Sequence, residues 1–204
     1  MTRRKLAVIS GGLAQPSSTR LLADRLAMAA EQALAELDVE TEIDMLDLRD
    51  HARELTNMLV TGFADERLAA VIKEVVESDG LIAVTPIFNA SYSGLFKIFF
   101  DVLEHGALAG KPVLIAATAG TPRHSLALEH AVRPLFSYMR ALVVPTAVFA
   151  ASEDWGSGTS AEQAFSERID RAAAELARWV AVEERPSRLD PYEDVTSFED
   201  LLDG

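Results

Sequence analysis

With 204 residues, 49% of them hydrophobic and none a cysteine, the chain can bury one sizeable core but cannot build a disulfide framework, a thiolate nucleophile or a cysteine-ligated metal site. A formal net charge of -13 argues against a nucleic-acid surface, which needs clustered Lys and Arg. Glu183, Glu184, Asp190, Glu193, Asp194, Glu199, Asp200 and Asp203 stand against only Arg185 and Arg188, so almost half of that charge lies in residues 183–204 and anionic ligands remain admissible on the body.

The N-terminus, Met1-Thr2-Arg3-Arg4-Lys5, is basic, but the apolar run behind it ends at Ile9. That is too short for a signal-peptide core, and no segment reaches the ~20 apolar residues of a membrane span, so a cytoplasmic protein is expected. Lys5–Ile9 reads as a strand, Ser10–Thr19 as a Gly/Ser loop and Arg20–Leu37 as a long helix. Strand, loop and helix in that order make a phosphate site, with free N–H groups and the positive helix end facing the loop and the hydroxyls of Ser17, Ser18 and Thr19 able to donate. The same Ser and Thr residues are equally good helix N-caps. Neither a P-loop nor a Gly-x-Gly-x-x-Gly dinucleotide fingerprint is present, which points to a mononucleotide.

Val39–Leu48 alternates as a strand exposed on one face does at a sheet edge. Residues 49–64 carry no readable pattern. Asp65 caps a helix over Glu66–Glu77, and Leu81–Val84 is a continuous apolar run, read as a strand buried on both faces. The polar turn Thr85-Pro86-Ile87-Phe88-Asn89-Ala90-Ser91-Tyr92-Ser93 follows, with Ser93 or Ser91 as cap of the next helix. Its composition suits a flat aromatic ligand: Phe88 and Tyr92 offer faces, and Asn89, Ser91 and Ser93 offer small polar tips. Helix Leu95–Leu103 is apolar most of the way round, so either it is buried in the domain or another subunit covers it; the second is expected, in a homo-oligomer built through helix 94–105. His105-Gly106 closes that helix, with no function assigned to His105.

Val113–Thr118 is a further buried strand, ending in the polar loop Ala119–Ser125. Helix Leu126–Met139, strand Leu142–Phe149, a loop Ser152–Ser160 and an amphipathic helix Ala161–Val182 complete the chain. Five strand–helix alternations imply an α/β domain with a parallel sheet; the expected fold is a flavodoxin-like three-layer α/β/α with a five-stranded parallel sheet in order 2-1-3-4-5. Ligands in such sheets bind at the switch point, between the strands that here end at Ser10 and Thr85.

The turn Thr85–Gly94 with Lys97 and Asp101, the segment Ala117-Thr118-Ala119-Gly120-Thr121 and the downstream Ala131-Val132-Arg133-Pro134-Leu135 resemble, in order and spacing, the flavodoxin-like NAD(P)H-dependent FMN reductases. The likeness covers about residues 5–180 and is greatest to reductases that supply reduced FMN to alkanesulfonate-type, luciferase-like monooxygenases. It divides the chain into a reductase domain, 1–182, and an acidic tail, 183–204.

The resemblance implies FMN and NAD(P)H as cofactors, with Ser10, Ser17, Ser18 and Thr19 at the FMN phosphate. Pro86, Ile87, Phe88, Asn89 and Ser91 would border the isoalloxazine on one side and Thr118, Gly120 and Thr121 on the other. Two positions depart from the family: Ser18 stands where many relatives carry Arg, implying weaker FMN retention, and His130 stands where alkanesulfonate-type members carry a Tyr tied to a helix irregularity and tetramer contact. Hydride transfer to flavin needs orientation more than a side-chain acid or base, so no catalytic side chain is assigned. Arg123 and His124 either meet the phosphates of the nicotinamide nucleotide at the site mouth or are a solvated loop pair, and Lys97 is equally open. A quinone or azo reductase, a flavodoxin-type electron carrier and a nonenzymatic scaffold are the rival readings.

Overall fold

The computed structural model describes residues 2–156 and 160–182; the acidic stretch 183–204 and the middle of the expected 152–160 loop lie outside the described residues. Strands β1 (Thr2–Ser10), β2 (Val39–Asp47), β3 (Gly80–Phe88) and β5 (Pro112–Thr118) run parallel, with β2 hydrogen-bonded only to β1 and so at the edge. Eight of the nine residues of β3 and all of β5 are buried, as unbroken apolar runs between two helical layers require. Helices α1 (Ser18–Ala35) and α6 (Ser160–Val180) cover one face, where Leu6, Val8, Ile82, Val84, Leu114 and Ala116 point. The other face, with Ala7, Ile9, Leu81, Ala83, Val113 and Ile115, packs under α2 (Ala52–Thr61), α3 (Glu66–Glu77), α4 (Gly94–Asp101) and α5 (Arg133–Tyr138). Among the described residues, no helix is long and apolar enough to cross a membrane.

The architecture is flavodoxin-like, but the expected five-stranded sheet in order 2-1-3-4-5 is corrected. Among the described residues seven strands are present, in the order β2-β1-β3-β5-β6 (β6, Leu142–Val143), with β4 (Ser91–Tyr92) paired to β3 and β7 (Val148–Ala150) paired to β5. Two local causes account for this. The central strand does not stop at Val84; it continues to Phe88, reverses through Asn89 and Ala90, both at positive φ (47° and 70°), and returns as β4, antiparallel to β3. Paired left-handed residues are what a two-residue hairpin turn demands.

The second cause is Pro145, which has no N–H to give a sheet and splits the expected Leu142–Phe149 strand into β6 (Leu142–Val143) and β7. The break is held from both layers. Arg133 donates to the carbonyls of Val144 and Pro145, each at 3.1 Å, and Thr146 donates through N and Oγ1 to the Glu175 carboxylate at 2.7 and 2.8 Å.

The unreadable stretch after β2 is a 3₁₀ turn, Leu48–His51, and helix α2, closed by Gly62 at φ 78°. This segment packs on α4. It removes the reason given for a subunit on that helix, since Phe96, Phe99, Phe100 and Leu103 are buried and Leu95, Ile98 and Val102 are half-buried within one chain. Helix α4 ends at Asp101, short of His105-Gly106. The expected helix Leu126–Met139 is also not uniform. Leu128–Val132 is a π turn in which Arg133 N donates to Leu128 O, and α5 proper begins beyond it with Pro134 in its first turn. Arg133 grips Glu129 across this turn at 2.6 and 3.0 Å, holding that carboxyl below its ordinary pKa.

Lys111, 3% exposed, donates through Nζ to Val76 O and Ser78 Oγ, each at 3.2 Å, and to Ser78 O, closing the C-terminal end of α3 just before β3 begins. Lys111→Met should strand these carbonyls and lower stability by about 2–3 kcal/mol, read from urea unfolding with an unchanged m-value.

Candidate functional site

The carboxyl ends of β1, β3 and β5 lie side by side, because Ser10 is in register with Val84 and Pro86 with Thr118. Three loops leave this line: 11–17, the hairpin 88–93 and 119–127. Gly11 N donates to Val84 O at 2.8 Å, drawing the first loop over the central strand. A Cβ at Gly11 would stand 3.2 Å from Phe96 Cδ2 and 3.3 Å from Val84 O, so glycine here permits the approach. At Gly12 an added Cβ would come within 2.2 Å of Ser17 Oγ and 3.1 Å of Thr19 Cβ, which defines a small cradle roofed by hydroxyl-bearing residues.

Ser17 caps α1, its Oγ accepting from Arg20 N at 3.2 Å. The cap reading of the Ser/Thr run is met by Ser17, while the hydroxyl of exposed Ser18 makes no hydrogen bond among the described residues. Thr19 is buried and its Oγ1 lies 2.8 Å from Thr118 Oγ1, a direct tie between the first loop and the end of β5. Ser10 is fully buried and its Oγ has no partner among the described residues. A buried hydroxyl without a partner costs free energy unless something occupies the space beside it, and here that space is the line of strand ends.

The hairpin is fixed by Ser93, which the sequence offers as a helix cap, and by Thr85, to which the sequence assigns no role. Thr85 and Ser93 are fully buried; Ser93 N donates to Thr85 Oγ1 at 3.1 Å, and Ser93 Oγ caps α4 by accepting from Phe96 N at 3.2 Å while lying 3.4 Å from Gly11 O. Their signal was available: small hydroxyl residues flanking a turn at a strand-to-helix junction. Of the residues singled out on this turn, Pro86 is buried, Phe88 is 47% exposed, Asn89 is exposed and Ser91 half-buried. The Ile87 side chain belongs to the core under α2–α5, which leaves only its backbone to face a ligand.

On the third loop Thr118 is buried, Gly120 is exposed with nothing within 4 Å of an added Cβ, and Thr121 is half-buried, its Oγ1 accepting from Arg123 N at 3.4 Å. Lys97 is engaged with Asp101, one turn along α4. Arg20, the cation nearest the first loop in sequence, is held by Asp24 at 2.8 Å and by Asp47, which together raise its pKa. His130 is exposed in the π turn. An open groove of about 400 Å³ lies elsewhere, lined by the last turn of α4 and by Leu135, Tyr138 and Met139. Among the described residues no cluster of His, Asp or Glu could hold a metal.

The Thr19–Thr118 tie can be tested alone. Thr118→Val should leave Thr19 Oγ1 buried without a partner and cost about 1–3 kcal/mol, whereas the double Thr19→Val/Thr118→Val change should cost less than the sum of the two single changes, measured by chemical denaturation.

A family model for NADPH-dependent FMN reductase matches residues 4–156. The chain is 38% identical over 175 residues to FMN reductase (NADPH) of Pseudomonas aeruginosa, covering 85% of this chain and 90% of that one. It is 36% identical to the NADH-dependent FMN reductase SfnE of Pseudomonas putida, over 86% of this chain and 91% of its length. An oxidoreductase structure from Corynebacterium diphtheriae superposes with a TM-score of 0.86 at 47% identity, covering 90% of this chain and all of that one. With the matched segment containing all three loops, the chain belongs to the NADPH-dependent FMN reductase family.

Proposed function

We propose that the chain reduces FMN with a reduced nicotinamide dinucleotide at the crevice formed by loops 11–17, 88–93 and 119–127. The observation that carries this placement is the close approach of Gly12 to Ser17 and Thr19 at the N-terminus of an 18-residue helix, with Thr19 Oγ1 tied to Thr118 Oγ1 and, at the end of β1, a buried Ser10 Oγ without a partner among the described residues. These donors fit a phosphate monoester: uncharged hydroxyls and first-turn N–H groups, aided by the helix dipole.

Ser10, Ser17, Ser18 and Thr19 would hold the phosphate. Pro86, Phe88, Asn89 and Ser91, with the Ile87 backbone, would border the flavin ring on the hairpin side, and Thr118, Gly120 and Thr121 on the other. Bound FMN supplies the ring that accepts the hydride; the chain supplies orientation and a wall against water. Residues 88–93 and 119–127 contain no Asp or Glu, and hydride transfer to flavin requires no proton from a side chain.

The same geometry favours an exchanging flavin. Residue 18 is Ser and Arg20 is committed to two carboxylates, so the phosphate is held by dipoles and hydroxyls without a bidentate guanidinium. A reductase of this kind would release reduced FMN to a flavin-dependent monooxygenase in the cytoplasm. The expected test result is NAD(P)H oxidation that saturates with added FMN and leaves with gel filtration. In Gly12→Ala the new methyl displaces the Ser17 cap, and FMN affinity should fall roughly tenfold with the fold retained. Binding of FMN with turnover only on quinones or a protein acceptor would sink the reductase reading and keep the site.

A homo-oligomer through the α4 layer is also proposed. Its support is the apolar surface left on and after α2, the helix packed against α4: Val60 and Phe63 are 79% and 81% exposed, with Leu59 beside them. Val60→Asp/Phe63→Asp should shift the mass from light scattering towards the monomer; an unchanged mass would remove this face from the interface.

A further inference from the structure

We propose that Arg123 is a specificity-determining residue of this site, receiving a phosphate group of the nicotinamide nucleotide. The inference rests on the reductase reading above and deepens it. Positive charge at the entrance of a site on a protein with a net charge of -13 would favour the approach of a phosphate-bearing ligand. The loop 11–17 has no charged residue and residues 89–93 have none. On the third loop, 119–127, Arg123 and His124 are the only ionisable side chains.

The cations nearest in sequence to the crevice loops are already committed: Arg20 to Asp24 and Asp47, Lys97 to Asp101, and Arg133 to Glu129 and two carbonyls. Arg123 is exposed, and its guanidinium makes no hydrogen bond or ion pair among the described residues.

Its backbone is not loose. Thr121 Oγ1 accepts from Arg123 N, Pro122 opens a 3₁₀ turn, and Ser125 N closes it on Pro122 O at 3.1 Å. Arg123 lies five residues beyond Thr118, the end of β5, on one of the three loops that leave the line of strand ends. A planar five-donor fork with no partner among the described residues matches the bidentate geometry of a phosphate. The chemistry could come from the adenosine 2′-phosphate of NADPH or from the pyrophosphate common to NADPH and NADH.

The experiment compares the full-length wild type with Arg123→Gln and Arg123→Lys, measuring KM for NADPH and for NADH at saturating FMN, KM for FMN, and the Kd of NADP+ and NAD+ by calorimetry. Arg123→Gln should raise KM for NADPH roughly tenfold, and Kd for NADP+ in step, leaving KM for FMN and the melting temperature unchanged, with partial recovery in Arg123→Lys. A rise confined to the phosphorylated nucleotides assigns the 2′-phosphate, and an equal rise for both pairs assigns the pyrophosphate. If neither nucleotide responds, or if KM for FMN moves instead, the proposal is overturned. Should the wild type fail to oxidise either nucleotide with FMN, the reductase reading falls, and the calorimetric comparison still decides for or against Arg123.

Discussion

The crevice depends on the placement of one hydroxyl, that of Ser93. It accepts from the first turn of α4 and lies 3.4 Å from the carbonyl of Gly11, while the backbone N–H of the same residue is taken by Thr85. Thus a single buried side chain joins the end of β3, the start of α4 and the loop after β1. Each bond is worth about 1 kcal/mol net, but a buried donor left unpaired costs more than a made bond gains, so the three elements are positioned together or not at all. Phe96 completes the arrangement. It packs against the space where a Gly11 side chain would be, contacts Phe100 at a ring-centroid distance of 4.8 Å, and meets Tyr92 of the hairpin at 6.0 Å.

That aromatic anchoring also accounts for the composition of α4. Its Phe-rich surface faces inward on three sides: the sheet below, Phe136 of α5 at 4.9 Å from Phe100, and the turn and helix after β2. The covering element could not be seen in the sequence, because Leu48–Thr61 mixes a 3₁₀ turn with a ten-residue helix and neither is long enough to show a stripe. With residues 49–64 unplaced, composition alone does not decide between burial of an all-round apolar helix in its own domain and cover by a subunit.

What could be read directly were the features set by local chemistry. The buried runs at 81–84 and 113–118, the caps Ser17, Asp65 and Ser93, and the position of three polar loops at strand ends are all present. What could not were features set by a partner distant in sequence. The hairpin uses Ala90 at φ 70°, a residue with no turn preference, which is held there by pairing of Phe88 with Ser91 and by Thr85 below. The split of the last strand at Pro145 is stabilised by Arg133 and Glu175, one from each helical layer. For the site, hydroxyl-bearing positions were legible, whereas the tie between Thr19 and Thr118 spans 99 residues and leaves no periodic trace.

The charge distribution gives the family's chemistry a particular cast in this chain. On the proposed placement of the FMN phosphate, hydroxyls and helix N–H groups give a weaker grip than a site that adds a guanidinium, since charge-assisted bonds are roughly twice as strong as neutral ones. Asp24 and Asp47 keep Arg20 from that role, and residue 18 does not replace it. A neutral cradle is a disadvantage for a resident cofactor, which must not be lost between turnovers, but it suits a flavin that has to leave reduced. If the free cation instead stands at the outer loop, attraction acts first on the nicotinamide nucleotide, and the flavin's residence is set by short-range contacts alone. Retention and recruitment are then governed by different loops, so either can change through substitutions that leave the other untouched.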